Sequence, residues 1–187
     1  MIIQLPVPKE RNLLFSKDVN NDTIAELTKN LIDISNNDIY IEKIYKIHGI
    51  SYAPNPIKIY IDSYGGQVYQ GLGLINVMKN CTTPIHTIVT GCAMSCGLLI
   101  SISGHKRFGY KHSTFMYHQV SSLKWGTLKD IEDDVIEVKR LQTIIEKHVL
   151  EKTKITKDQL KQNYEKKKDW YMTSSEAIKF GVIDELI

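Results

Sequence analysis

Two strand-to-helix junctions, each turning on small residues, constrain this chain more than any other feature. Ile57-Lys58-Ile59-Tyr60-Ile61-Asp62 alternates apolar and polar side chains as a strand does. It runs into Ser63-Tyr64-Gly65-Gly66, after which Val68, Leu72, Ile75 and Met78 recur at helical spacing. Ile85 to Thr90 is a second β-rich run. It leads through Gly91-Cys92-Ala93-Met94 into an apolar helix from Ser95 to Ser103. Strand, tight turn and helix, repeated, favour an α/β fold in which helices cover a parallel sheet.

Each turn has a chemical reading and a plain one. A serine between small residues at a strand-to-helix junction can expose its hydroxyl beside the free N–H groups of the helix start, where an oxyanion would be held. The same residues can also be only a packing turn. The nucleophile-elbow pattern G-x-S-x-G is not met, because Ala93 stands where the first glycine belongs. Gly65-Gly66 can be a simple turn, or can bring a backbone N–H close to a substrate because no Cβ intervenes. No G-x-G-x-x-G or P-loop follows, which discounts nucleotide binding.

The rest of the chain supplies further elements. Residues 1–9, with two prolines, read as an arm, and Asn12 to Ser16 as a first strand. Asn21 and Asp22 are N-cap candidates for a helix with Ile24, Leu27, Leu31 and Ile34 on one face. Between Ser35 and Pro56 the pattern breaks. Ile39, Ile41 and Ile44, with tyrosines between them, point to extra strands. Lys106 to Gly109 and Thr114 to Tyr117 are short strands, the second closed by His118-Gln119; a lone histidine there is by default structural. Leu128, Ile131, Val135, Val138, Leu141, Ile144 and Val149 mark a long amphipathic helix whose stripe is core or a subunit contact. Thr156 with Gln159, and Thr173 with Glu176, are capping boxes for two short helices, the second stopping at Gly181. The run Glu165-Lys166-Lys167-Lys168-Asp169 reads as solvated surface, and Trp170 to Met172 as strand-like.

Composition narrows the class. The 187 residues suit one domain with a real core, and the net charge of +3, with lysines interleaved among acids, gives no reason to expect nucleic acid. Three cysteines without framework spacing fit thiols in a reducing compartment, and Cys92 and Cys96 lack the second pair a zinc site needs. Cys81 to Gly104 carries no Lys, Arg, Asp or Glu, yet its proline, glycines and hydroxyls favour a buried strand–helix pair over a membrane span. Met1 to Glu10 lacks the form of a signal peptide. A cytoplasmic protein without membrane contact is expected.

Four blocks, in order, then carry a resemblance. They are Tyr60-Ile61-Asp62-Ser63-Tyr64-Gly65-Gly66; Ala93-Met94-Ser95-Cys96-Gly97; Met116-Tyr117-His118-Gln119; and Lys168 to Ala177 followed by Phe180-Gly181-Val182-Ile183-Asp184. Together they resemble the ClpP family, the proteolytic subunits of Clp proteases, from about Glu10 to Asp184. The resemblance implies a ClpP/crotonase-like α/β fold in a single domain over residues 1–187, with a handle region at 119–152 built on the helix from Thr127 to Lys152. It implies a serine endopeptidase with Ser95 as nucleophile, His118 as base and Asp169 as the acid. The backbone N–H groups of Gly66 and Cys96 would form the oxyanion hole. No cofactor or metal is implied, ATP being used only by a partner ATPase. The implied partners are copies of itself in two stacked heptameric rings, an AAA+ unfoldase and unfolded polypeptides.

Departures from the family pattern accompany the match. Tyr64 stands where proline usually precedes the glycine pair, Val120 also replaces a proline, and Ser122-Leu123 replaces a glycine pair in the handle's strand. The arm before Glu10 is shorter than the family's axial loop, and Ser35 to Pro56 is longer than its counterpart. Glu165 and Asp184 compete with Asp169 for the role of the acid, and Cys96 competes with Ser95 as nucleophile. Two other functions compete as well: a non-catalytic ring subunit, and a crotonase-type acyl-CoA enzyme using Gly66 as oxyanion donor.

Overall fold

A computed structural model describes residues 5–166 and 168–187. Of the arm expected at 1–9, residues 1–4 lie outside the described residues, as does Lys167 of the lysine run; residues 5–9 have no regular structure. The strands are β1 (Asn12–Phe15), β2 (Ile57–Ser63), β3 (Ile85–Met94), β4 (Lys106–Gly109), β5 (Thr114–Tyr117), β6 (Trp170–Thr173) and β7 (Glu185–Leu186). The helices are α1 (Asn21–Ile47), α2 (Val68–Asn80), α3 (Cys96–Ser101), α4 (Leu128–Lys152), α5 (Lys157–Lys166) and α6 (Ser174–Lys179).

One sheet runs in the order β1-β2-β3-β4-β7, all parallel. In β2, Ile57, Ile59 and Ile61 are fully buried while Lys58 and Asp62 point to solvent, as a period of two demands. β3 is four residues longer than the Ile85–Thr90 run and serves two neighbours. His86 to Val89 pair with β4, whereas Cys92 to Met94 pair with β5. A register shift between Ile61 and Ser63 of β2 permits the extension, and the Asp62 carboxylate accepts the Cys92 N–H there at 2.9 Å. β6 then pairs antiparallel with β5.

The first helix corrects the expectation for 35–56. It begins at the N-cap Asn20, whose side chain accepts from Thr23 N–H, not at Asn21 or Asp22. It then continues unbroken to Ile47, so Ile39, Ile41 and Ile44 are helical and no strand forms there. Its buried stripe is Ile24, Leu27, Leu31, Ile34, Asp38 and Ile41. The helical period was intact; an aspartate occupied one of its inward positions. Asp38 is 3 % exposed and is satisfied by Arg11 at 2.8 Å, Thr83 Oγ1 at 2.6 Å and the Tyr52 hydroxyl at 2.6 Å. These bonds tie the 50–56 loop and the start of β1 onto α1.

The long helix α4 covers 128–152 as expected, with a Thr127–Asp130 capping box. The segment 118–127 that precedes it contains no strand, in contrast to the handle strand the resemblance implies. On the far side of the sheet, Arg107 donates to the carbonyls of Lys152 and Gly181 and pairs with Asp184, closing the C-terminal end onto β4. Among the described residues, no helix is long and apolar enough to cross a membrane.

Burial alone would raise the Asp38 carboxyl, but hydrogen bonds from Arg11, Thr83 and Tyr52 outweigh it and hold its pKa below the ordinary value. Stability from this group is therefore complete above an ordinary aspartate pKa of about 4 and is lost as pH falls through the lower folded value. Asp38→Ala should cost about 3 kcal/mol, because it strands the buried Arg11 charge. In urea midpoints measured against pH, Asp38→Asn should flatten the acid limb that the wild type shows.

Candidate active site

The strand β3 ends at Met94, and the chain reverses at once into α3. Ser95 makes the turn with φ +52 and ψ −124, the one non-glycine residue with positive φ among those described. A side chain in that region costs roughly 1–3 kcal/mol, so the surroundings must hold it. Ser95 N–H donates to the Met116 carbonyl at 2.9 Å, which fixes the turn to β5. His118 follows one residue after β5 ends. Its Nε2 lies 2.8 Å from Ser95 Oγ, hydrogen-bond distance for proton transfer between the two.

The Gly65-Gly66 turn packs directly against the serine. A Cβ on Gly65 would lie 2.6 Å from the Met94 carbonyl oxygen and 2.7 Å from Ser95 Cβ, and φ there is +98. Only glycine fits such an approach. Gly66 is seated by the chain at Val19: Val19 N–H donates to Gly65 O, and Gln67 N–H donates to Val19 O, leaving the Gly66 N–H outside that exchange. No side chain caps α3, whose first residue is Cys96. Gly66, Ser95, Cys96 and His118 all line one cleft, so the two residues expected by resemblance to supply oxyanion N–H groups share it with the serine. The cleft is small, about 50 Å³, with Val68, Leu99, Val120 and Ile145 as its apolar walls.

The competing cysteine is unsuited to attack. Cys96 is 2 % exposed, and burial pushes its thiol up to about 11, despite the opposing Gly66 N–H. At neutral pH it remains a protonated thiol. Cys92 is likewise raised to about 11 by burial and by Asp62.

Asp169 is not brought into hydrogen-bond contact with His118: among the described residues no bond joins them, and the aspartate is exposed. Its backbone position is nevertheless suggestive. The β5–β6 register pairs Tyr117 with Trp170, and the next step out along both strands is His118 opposite Asp169. The competitors are engaged elsewhere: Asp184 is bound to Arg107, and Glu165 pairs along α5 with Lys161. Among the described residues no group of three or more His, Cys, Asp or Glu is placed to hold a metal ion.

Gly65→Ala should therefore break the nucleophile's turn, lowering stability by more than about 2 kcal/mol because both clash and positive φ oppose it. Gly73→Ala is the matched control. Nothing lies within 4 Å of its added Cβ, and alanine in a helix interior should stabilise by up to about 1 kcal/mol. Melting of the two variants side by side checks the pair.

Comparison with known proteins places this geometry in a family. A family model described as Clp protease matches residues 6–187. Proteolytic subunit 2 of an ATP-dependent Clp protease from Synechococcus sp. (strain CC9605) is 33% identical over 133 residues, which are 70% of this chain and 66% of that protein. The corresponding subunit 2 from Treponema pallidum (strain Nichols) is 28% identical over 149 residues, 79% of this chain and 73% of its own length. A proteolytic subunit 1 from Prochlorococcus marinus (strain MIT 9312) is 28% identical over 178 residues, covering 94% of this chain and 83% of that one. The ordered motifs, the α/β sheet and the match along nearly the whole chain agree: this chain belongs to the Clp protease family.

Proposed function

We propose that the chain is a serine endopeptidase subunit that hydrolyses unfolded polypeptides inside an assembly of its own copies. The observation that carries the proposal is the 2.8 Å contact between His118 Nε2 and Ser95 Oγ at a strained turn. A serine hydroxyl is a poor nucleophile until an adjacent imidazole takes its proton. In the proposed reaction Ser95 Oγ attacks the scissile carbonyl while its proton passes to His118. The oxyanion forms against the N–H groups of Gly66 and Cys96, each such donor being worth about 3 kcal/mol of barrier. His118 then returns the proton to the leaving amine, and water, deprotonated by the same imidazole, releases the acyl group. Asp169 is assigned the third role, holding the His118 tautomer once the ends of β5 and β6 close on each other.

Self-assembly is supported by the surface. Leu128, Ile131, Val135 and Ile136 on α4 are exposed, and Leu123 and Trp125 just before it are each 93 % exposed. An apolar stretch of that extent on a monomer calls for a covering surface. The relatives are named as proteolytic subunits of ATP-dependent Clp proteases, which supports a subunit of a larger assembly; two stacked rings fed by a separate ATPase that alone uses ATP are the arrangement proposed from the family resemblance.

The test combines native mass spectrometry with hydrolysis of a fluorogenic peptide by the assembled protein. Ser95→Ala and His118→Ala should each lower the rate at least about 10³-fold, and Asp169→Asn at least about 10²-fold. An Asp169→Asn particle working at the wild-type rate removes Asp169 from the machinery. A large, intact wild-type particle that cuts nothing, with or without an ATPase, favours the non-catalytic ring subunit instead.

A further inference from the structure

Immediately beyond His118, the backbone is held by a side chain from the long helix. Val120 N–H donates to Gln142 Oε1 at 2.9 Å. The amide nitrogen of Gln142 donates in turn to the Tyr117 hydroxyl at 3.2 Å and to Glu146 Oε1 at 2.8 Å. The orientation of the amide is fixed by its partners: a backbone N–H can only donate, and an ionised carboxylate can only accept. One glutamine thus grips the chain on both sides of His118, at Tyr117 and at Val120. Tyr117 is 3 % exposed and Val120 packs against the core, so the grip is partly shielded from water.

The surroundings make this tie consequential. From Ser121 to Thr127 every residue is exposed, and, apart from the Thr127–Asp130 capping box that starts the helix, the segment's hydrogen bonding to α4 among the described residues is the exposed Ser122–Asp134 pair. Val120 also stands between two clefts, the small one at Ser95 and a larger one of about 360 Å³ whose lining includes Gln142 and Glu146. Movement of Val120 would alter the serine's cleft. The donor exists because position 120 is not proline, the residue that the family pattern usually has there and that carries no N–H.

We propose that Gln142 is a positioning residue: by accepting the Val120 N–H while donating to Tyr117 and Glu146, it sets the backbone that aims His118 at Ser95. This rests on the reading of Ser95 and His118 as the reacting pair. Since a displacement of about 1 Å at a catalytic group can cost 10²-fold, loosening one tie should cost about tenfold.

The test measures two quantities in the assembled protein: the rate at which a small fluorophosphonate modifies Ser95, and deuterium uptake in the peptide containing Tyr117 to Val120. Gln142→Met, of similar volume but without the acceptor, should slow modification about tenfold and speed uptake at Val120 about tenfold. Gln142→Glu keeps an acceptor for Val120 but would face the Glu146 carboxylate, so it is combined with Glu146→Gln, whose amide can donate to it; the double variant should restore modification to within about threefold of wild type. In a Val120→Pro background, where no donor remains, Gln142→Met should change the rate by less than about twofold. Should Gln142→Met fail to assemble, Gln142→Ser carries the same expectation. Faster uptake with an unchanged modification rate overturns the positioning role, as does an equal loss in both backgrounds. A wild type that never reacts overturns the peptidase reading and the positioning role together; the uptake difference, still visible, distinguishes that failure from the absence of the tie.

Discussion

A serine held at positive φ is the constraint on which this structure turns. Nothing in the residue favours φ +52, so each neighbour of Ser95 has to hold it there. The extension of β3 past Thr90 supplies one wall, because Met94 stands opposite Met116 in the pairing and Ser95 N–H donates to the Met116 carbonyl. Gly65 supplies another, with space for no side chain between its Cα and the serine. Gly97 supplies the third: a Cβ there would come within 2.8 Å of the Ser63 carbonyl oxygen. The bulge at Asp62, the glycine pair and the forked strand β3 are thus parts of one device that presents the Ser95 hydroxyl to His118.

Much of this device was legible from residue order. Alternation in Ile57 to Asp62 marked β2, and helical spacing of Val68, Leu72, Ile75 and Met78 marked α2. The capping boxes at Thr156 and Thr173 bound their helices as their residue types require. The second half of α1 was not legible, for a definite reason. Its inward stripe passes through Asp38, and an acid is read as outward-facing unless its partners Arg11, Tyr52 and Thr83 are known to converge on it. The isoleucines and tyrosines around it have strand propensity, which tertiary packing overrode.

The site was readable to different depths. Ser95 and His118 lie 23 residues apart, yet the parallel pairing of β3 with β5 brings their ends together, a convergence that the strand–turn–helix order permits and that only the family resemblance pointed to. Asp169 depends on the antiparallel partner β6, whose register points it towards His118 without completing the contact. Gln142 carried no signal of its own in the sequence. It sits among the polar positions of an amphipathic helix, and only the fold shows that its amide meets the unexpected N–H of Val120. The same helix presents exposed apolar residues at its other end, so α4 belongs both to the surface that calls for a partner copy and, through Ile145, to the wall of the site.

The most direct test of the account is to locate a covalent adduct. The assembled protein would be treated with a peptidyl phosphonate, digested, and mapped by tandem mass spectrometry. The account predicts one modified residue per chain, Ser95, with Cys92 and Cys96 unmodified and the adduct absent in His118→Ala. An adduct on either cysteine, or modification of Ser95 that survives loss of His118, would contradict it.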